Sequence, residues 1–390
     1  MPLAITQAAA YINQRTPRVT ISTYLEALKK SDDERGKLLQ KDIRDPRRDG
    51  KASNSIMATW YISFEHIRRD RDSAARLLAL MSLFDREGIP DYLLHDNYRE
   101  DGERLDDFEE DIAMLRKFHL VDIGRDNIGR DNRLFDMHRL VQFSTKKWLE
   151  QHHELERWQC RYIEVLSEAF PTGKYGSWQT CQALFPHVEI MAGYQVEDEK
   201  SRQHFASVLD RGVWYGSETG RYGVAEKMAR MSLQVREEGL GRDHIRSLNS
   251  VGNLARVLQE QGRYDEAEEL NRRALAGCEK TLAMDHPNTL MSMENLAVVL
   301  QRQGKFDQAE ELNRRALAEM EKVLGMDHPN TLNSVSNLAY ILDLRQERDK
   351  ALELYGRAVN GFMKVLGPAH PKTLDCQRNR SSLISRMSTS

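Results

Sequence analysis

The feature that most constrains this chain is a pattern written at a fixed step of 42 residues. Gln-Gly-Arg-Tyr-Asp-Glu-Ala at 261 to 267 returns as Gln-Gly-Lys-Phe-Asp-Gln-Ala at 303 to 309, and more loosely as Arg-Gln-Glu-Arg-Asp-Lys-Ala at 345 to 351. The same step separates Asp-His-Pro-Asn-Thr-Leu at 285 to 290 from its copy at 327 to 332 and from Ala-His-Pro-Lys-Thr-Leu at 369 to 374. A unit of this length cannot bury its own apolar face, so successive copies must stack into a solenoid. A degenerate earlier copy is present: Gly220, Tyr222, Ala225, His244 and Leu248 lie one step before Gly262, Tyr264, Ala267, His286 and Leu290. The repeats are therefore expected to occupy residues 205–390.

Each copy reads as two antiparallel helices. In the middle copy, Asn288 or Thr289 is expected to cap the first helix, Leu296, Ala297 and Leu300 to form its buried stripe, and Gly304 to supply the turn. The second helix is expected over about 306 to 324, with Ala309, Leu312, Ala316, Leu317, Met320 and Val323 inward. His286, His328 and His370 fall at equivalent places, each before a proline that holds it extended ahead of the next helix. Neighbouring units set such residues about 10 Å apart, too far to share an ion whose histidine bonds are about 2 Å. No metal site is expected.

The functional candidates lie on the opposite side of the first helix. Asn253, Asn295 and Asn337 recur immediately before the buried-type Leu254, Leu296 and Leu338, which turns them away from the core toward an inner groove. Asn249, Met291 and Asn333 lie one turn earlier, and Arg256, Val298 and Tyr340 about one turn later. Amide side chains donate to and accept from an extended backbone, so this ladder reads as a peptide clamp. The other reading is that the asparagines satisfy neighbouring helix ends.

Upstream, residues 59–150 alternate helical and extended periodicity. Ala74, Ala75, Leu77, Leu78, Leu80, Met81, Leu83 and Phe84 make a helix apolar on most of its circumference, which must be buried. Leu105, Phe108, Ile112, Leu115 and Phe118 follow at helical spacing. Then 120 to 123 and 134 to 137 read as a hairpin, with Gly124 and Gly129 in or near its turn, and a further helix runs from 139 to 150. This order is expected of a small winged-helix-like domain. Residues 1–58 read as a helical segment plus charged connector, where Thr20 or Ser22 caps a helix. Residues 151–204 read as a helical bridge, with another helical pair over 178 to 194. The fold class is thus mainly α: a small winged-helix-like domain followed by an α-solenoid of 42-residue units.

Charge excludes some functions. Net charge is -3, and the basic residues near the hairpin, such as Arg116, Lys117, Arg125 and Arg130, are interleaved with Asp106, Asp107, Asp122 and Asp126. Nucleic-acid binding needs a net basic face, so none is expected. The cysteines, Cys160, Cys181, Cys278 and Cys376, form no C-x-x-C pair or secretory framework. With no signal-like or membrane-spanning stretch, a cytoplasmic protein without membrane contact is expected.

Certain stretches carry a resemblance. Met1-Pro2-Leu3-Ala4 resembles the end of the Gly-Leu-Pro-Leu-Ala motif of NB-ARC nucleotide-switch ATPases, and Met137-His138-Arg139 is similar to their Met-His-Asp motif. The strings Trp60-Tyr-Ile-Ser-Phe-Glu-His-Ile and Leu77 to Leu94 resemble fungal NB-ARC (STAND, NLR-like) proteins that end in tetratricopeptide repeats of the kinesin-light-chain type. The order of small and large residues in the 42-residue unit resembles the tetratricopeptide consensus. The resemblance implies that Pro2 would pack near an adenine and that His138 would reach ADP phosphates. Arg139 stands where the family carries an acidic residue, and no G-x-x-x-x-G-K-[ST] loop occurs to hold phosphates. No cofactor is therefore expected, with ADP or ATP present only if an upstream or partner NB-ARC-type domain supplies the cradle. On the residues alone, His138 reads as a hydrogen-bonded histidine at a strand-to-helix junction.

No catalytic constellation occurs, so the chain is expected to be a non-catalytic scaffold. The resemblance makes it the sensor portion of an NB-ARC signalling protein that binds a protein or peptide in the repeat groove. The alternatives are a kinesin-light-chain-like cargo adaptor, which would need heptads that are not sustained here, and a nucleotide switch acting through Pro2 and His138.

Overall fold

A computed structural model describes residues 12, 20–23, 26, 56–99, 107–125, 133–172 and 175–388. Pro2, most of the 1–58 segment and the 126–132 turn lie outside the described residues. Where the first segment is described, Thr20 and Thr23 exchange side-chain to backbone bonds of 2.8 and 3.2 Å, the reciprocal pattern of a helix cap. The chain divides into two compact units, Met1–His204 and Phe205–Ser390.

In the first unit, α1 (Ile56–Asp70) gives way at Arg71 to α2 (Asp72–Met81). Arg71 has φ -156° and ψ 87°, which no helix tolerates. Its guanidinium bonds the fully buried Asp111, a hub that also accepts from Ser73 Oγ at 2.7 Å and the Tyr98 hydroxyl at 2.6 Å. A buried carboxylate is tolerated only with such partners. Asp111 belongs to α3 (Asp107–Lys117), so this network pins α3 to the start of α2. As its composition requires, α2 buries Ala74, Ala75 and Leu77 through Met81.

Three antiparallel strands follow the order β1-β3-β2, with β1 (Ile89–Pro90), β2 (Val121–Arg125) and β3 (Arg133–Met137). The hairpin register runs from Val121 opposite Met137 to Arg125 opposite Arg133, and Ile89 stands opposite Phe135. Strand β1 is not expected from the sequence, because it is two residues long and includes a proline. Proline lacks the N–H of a central strand and is confined to edges, which is where Pro90 lies. Helix α4 (Arg139–Gln151) seals the end of α2 through Gln142 Nε2, which donates to the carbonyls of Ser82 at 3.0 Å and Phe84 at 2.8 Å.

Helix α5 (Leu155–Ala169) comes next, and the pair expected over 178 to 194 is instead one helix, α6 (Trp178–Met191). Pro186 lies inside α6, and the next residue, His187, is only 1% exposed. His187 Nδ1 accepts from the Asp85 N–H at 3.1 Å, and burial pushes its ring down to about 4, so it is neutral in the fold.

The second unit is a run of helix pairs: α7 (Glu199–Glu218), within which the division falls, and α8 (Tyr222–Leu240); α9 (Ile245–Glu260) and α10 (Tyr264–Thr281). These are followed by α11 (Pro287–Arg302) and α12 (Phe306–Val323), α13 (Pro329–Leu344) and α14 (Arg348–Val365), and a final α15 (Pro371–Ser388). The turn inside a pair needs a left-handed residue, met by Gly262 at φ 79° and Gly304 at φ 78°. In the third copy the same place is held by Gln346 at φ 65°.

Two local expectations are corrected. Neither Asn288 nor Thr289 caps α11: the cap is His286, whose Nδ1 accepts from the Asn288 N–H at 3.1 Å. Thr289 is buried, and its hydroxyl donates back to the Ala283 carbonyl at 3.0 Å to close the loop. Val323 does not face inward but is 48% exposed, because α12 ends there and the chain leaves the core.

Packing between copies is written in repeated positions. Asn271 and Asn313, 2% and 1% exposed, lie one step apart on the second helices and reach the next first helix. Asn271 Nδ2 donates to the Asn295 carbonyl at 3.4 Å, and Asn313 Oδ1 accepts from Ser334 Oγ at 3.5 Å. Ion pairs also recur at equivalent positions two steps apart, Lys280 with Asp243 and Lys364 with Asp327, each at 2.5 Å. Solvent screens exposed pairs of this kind, so the apolar core carries the stacking.

Candidate functional site: the inner face of the repeat unit

Consecutive first helices α9, α11, α13 and α15 pack against one another, whereas the second helices α10, α12 and α14 approach each other less. An array that is tighter on one side curves toward it, so the first helices line the inner face.

All the repeat positions singled out from the sequence lie on these helices. Asn249 on α9, Met291 on α11 and Tyr340 on α13 are exposed, Met291 by 53%. Asn253, Arg256, Asn295, Val298, Asn333 and Asn337 are half-buried between fully buried neighbours such as Leu254, Leu296 and Leu338. The amide of Asn249 is already engaged, its Oδ1 accepting from Asn288 Nδ2 at 3.1 Å. The side-chain amides of Asn253, Asn295 and Asn337 have no hydrogen-bond partner in the protein, among the described residues. They do not serve the helix ends. Asn295 Nδ2 lies 3.8 Å from where a Cβ on Gly252 would stand, so the ladder rungs of adjacent helices are close neighbours.

The 42-residue step extends the ladder at both ends beyond the residues first recognised. One step before Asn253 stands Arg211 on α7, half-buried; one step after Asn337 stands Asn379 on α15, exposed. The step before Arg256 is Trp214, also half-buried. The period itself was the signal for all three. Burial lowers the guanidinium pKa of Arg256, opposed by Glu218 and Glu260, and burial likewise lowers that of Arg211, opposed by Asp210. The face therefore combines free amides, a few apolar side chains and charge partly shielded from water.

Of the second sequence-predicted group, Pro2 and His138, only His138 falls among the described residues. His138 is the N-cap of α4, with φ -64° and ψ 136°, and its Nδ1 accepts from the Leu140 N–H at 3.1 Å. The first unit also carries a cleft of about 630 Å³ lined by Asn97, Arg157, Arg161 and Lys200 among others. Its cations are engaged within the unit: Arg161 bonds Asn97 and Glu164, and Lys200 reaches Glu164 at 3.3 Å. Among the described residues no group of His, Cys, Asp and Glu could hold a metal ion, and no helix is long and apolar enough to cross a membrane.

The tetratricopeptide repeat family matches residues 204–280, 246–318 and 288–364. Over 254 residues the chain is 34% identical to a nucleotide-binding leucine-rich repeat (NLR)-like protein of Hyaloscypha variabilis, covering 64% of this chain and 24% of that protein. The chain thus spans about a quarter of that curated relative's length. Among solved structures it is similar to the nearly identical TPR-like repeats of a putative kinesin light chain from Podosopora anserina, at 25% identity and a TM-score of 0.41, covering 56% of this chain and 96% of that one. A STAND protein with a tetratricopeptide repeat sensor from Pyrococcus horikoshii is 12% identical, with a TM-score of 0.40, covering 96% of this chain and 61% of that one.

Proposed function

We propose that this chain, whose matched repeats are tetratricopeptide repeats and whose curated relative is a fungal NLR-like protein, is the sensor portion of such a signalling protein. It acts as a non-catalytic scaffold in the cytoplasm, and its inner face takes a protein or peptide ligand in extended form. The observation that carries this reading is the row of unpartnered amides at Asn253, Asn295 and Asn337 on three adjacent helices. A partly buried amide without a partner forgoes hydrogen bonds that an extended backbone can supply. The helices and three-stranded sheet of residues 59–150 support the winged-helix reading, which would couple the ligand to a nucleotide domain elsewhere in the full protein.

The His138 cap supports a structural role for that residue in this chain. Nucleotide handling is assigned to an NB-ARC-type domain outside it.

A photo-crosslinking amino acid placed at Val298 on the inner face, and in a second protein at Glu311 on α12, tests the reading. In host-cell extract the Val298 probe is expected to give a discrete adduct that disappears when Asn253, Asn295 and Asn337 are changed to alanine. Identical adducts from both positions, or an adduct indifferent to the three changes, would contradict it.

A further inference from the structure

Asp210 and Glu294 occupy the same place in the repeat, two 42-residue steps apart. Asp210 is fully compensated. Its Oδ2 accepts from Arg236 Nη2 at 2.6 Å, and its Oδ1 accepts from Ser232 Oγ at 2.7 Å and Ser250 Oγ at 3.4 Å. Two steps on from Arg236 and Ser232 stand Met320 and Ala316, 3% and 0% exposed, and of the three donors only the serine survives, as Ser334. Glu294 has kept the carboxyl group and lost the cation. Its Oε1 is buried with no hydrogen-bond partner among the described residues.

Glu294 sits three residues after Met291 and four before Val298, which places it on the same inner stripe of α11. Burial raises its carboxyl to about 7, with Ser334 and the charge of Lys372 opposing that rise only in part. Other charges near this face include Arg211 and Arg256, accompanied by Asp210, Glu218 and Glu260, on α7 and α9, and on α15 Lys372 and Arg378, the latter paired with Asp375 at 3.3 Å. A carboxyl desolvated on a surface that also exposes Met291 and free amides is a place for a positive group, and among the described residues none is ion-paired with Glu294.

We propose that Glu294 is the specificity point of the groove and receives a lysine or arginine side chain from an extended peptide lying across α9, α11 and α13. The proposal rests on the reading of the inner face as a peptide groove. The incoming cation does for Glu294 what Arg236 does for Asp210, and the amides of Asn253, Asn295 and Asn337 hold the peptide backbone on either side. Arg211 and Arg256 repel a basic side chain from the α7 and α9 end, which fixes where along the peptide it must fall. With adjacent helices about 10 Å apart and an extended chain rising about 3.3 Å per residue, one rung of the ladder corresponds to about three ligand residues.

The test is selection from a random-sequence phage-displayed peptide library. It is run on the full chain, on Glu294→Gln, and on the Asn253→Ala, Asn295→Ala, Asn337→Ala triple variant, with circular dichroism confirming that each folds. Wild-type peptides that the triple variant fails to bind are expected to carry Lys or Arg at one position about tenfold above library frequency, a preference of about 1.4 kcal/mol. Glu294→Gln is expected to keep selecting amide-dependent peptides and lose that enrichment. Amide-dependent peptides without a basic position, or with the enrichment intact in Glu294→Gln, would overturn the role of Glu294 and leave the groove standing. Peptides indifferent to the triple variant, or no selected peptide at all, would overturn the groove and this proposal with it.

Discussion

The ring Nδ1 of His286 and the backbone N–H of Asn288 lie 3.1 Å apart in a helix cap that this protein uses again and again. His244, His328 and His370 make the same bond to Arg246, Asn330 and Lys372 at 3.1 to 3.2 Å, and His138 makes it to Leu140 in the other compact unit. Imidazole Nδ1 sits two bonds beyond Cβ, as the oxygen of asparagine does, so it reaches the same orphan N–H. These histidines serve as helix caps rather than as mere loop residues. Replacing His286 with alanine is expected to cost about 0.5–2 kcal/mol of repeat stability in urea denaturation, while His286→Asn is expected to retain most of it.

Gln346 holds a left-handed conformation at φ 65° where the earlier copies use Gly220, Gly262 and Gly304. Side chains other than glycine bear a penalty of about 1 kcal/mol there. Gln346→Gly is therefore expected to raise the repeat unit's stability by about 0.5–1 kcal/mol, read as a higher melting temperature. A lower melting temperature would show that the Gln346 side chain contributes more than its backbone costs.

Glu294 makes stability depend on pH in a defined direction. Its carboxyl is raised from 4.5 to about 7 in the folded chain, so between those values the unfolded chain releases a proton that the fold retains. Stability is lost as pH rises through this window and is then constant above it. The full effect is on the order of 3 kcal/mol at most. Urea unfolding of Glu294→Gln is expected to match the wild type near pH 4.5 and exceed it by roughly 1–3 kcal/mol at pH 8. Equal curves at both values would show that Glu294 is solvated.

Much of this architecture was legible in the sequence because the 42-residue step fixes both the helices and their faces. Leu254, Leu296 and Leu338 are buried where the periodicity places them, and the asparagines beside them are half-buried. What escaped has particular causes. Strand β1 is too short to show alternation, and its existence depends on β3 arriving beside it. The histidine caps escaped because propensity favours Asn and Thr, and both stand within three residues of His286. Val323 follows the apolar spacing yet lies at a helix end, where period no longer reports burial. Glu294 drew no notice because its meaning lies in what Met320 and Ala316 replaced two steps earlier in Arg236 and Ser232.

Whether the amide ladder serves a ligand or the fold is tested most directly by urea denaturation of the Asn253→Ala, Asn295→Ala, Asn337→Ala triple variant beside the wild type. Side chains with no partner among the described residues are expected to cost together no more than about 1.5 kcal/mol, at about 0.5 kcal/mol each, while the inner-face crosslink is lost. A loss of about 3 kcal/mol or more, as three removed internal hydrogen bonds would give, with the crosslink retained, would contradict the assignment of this face to ligand binding.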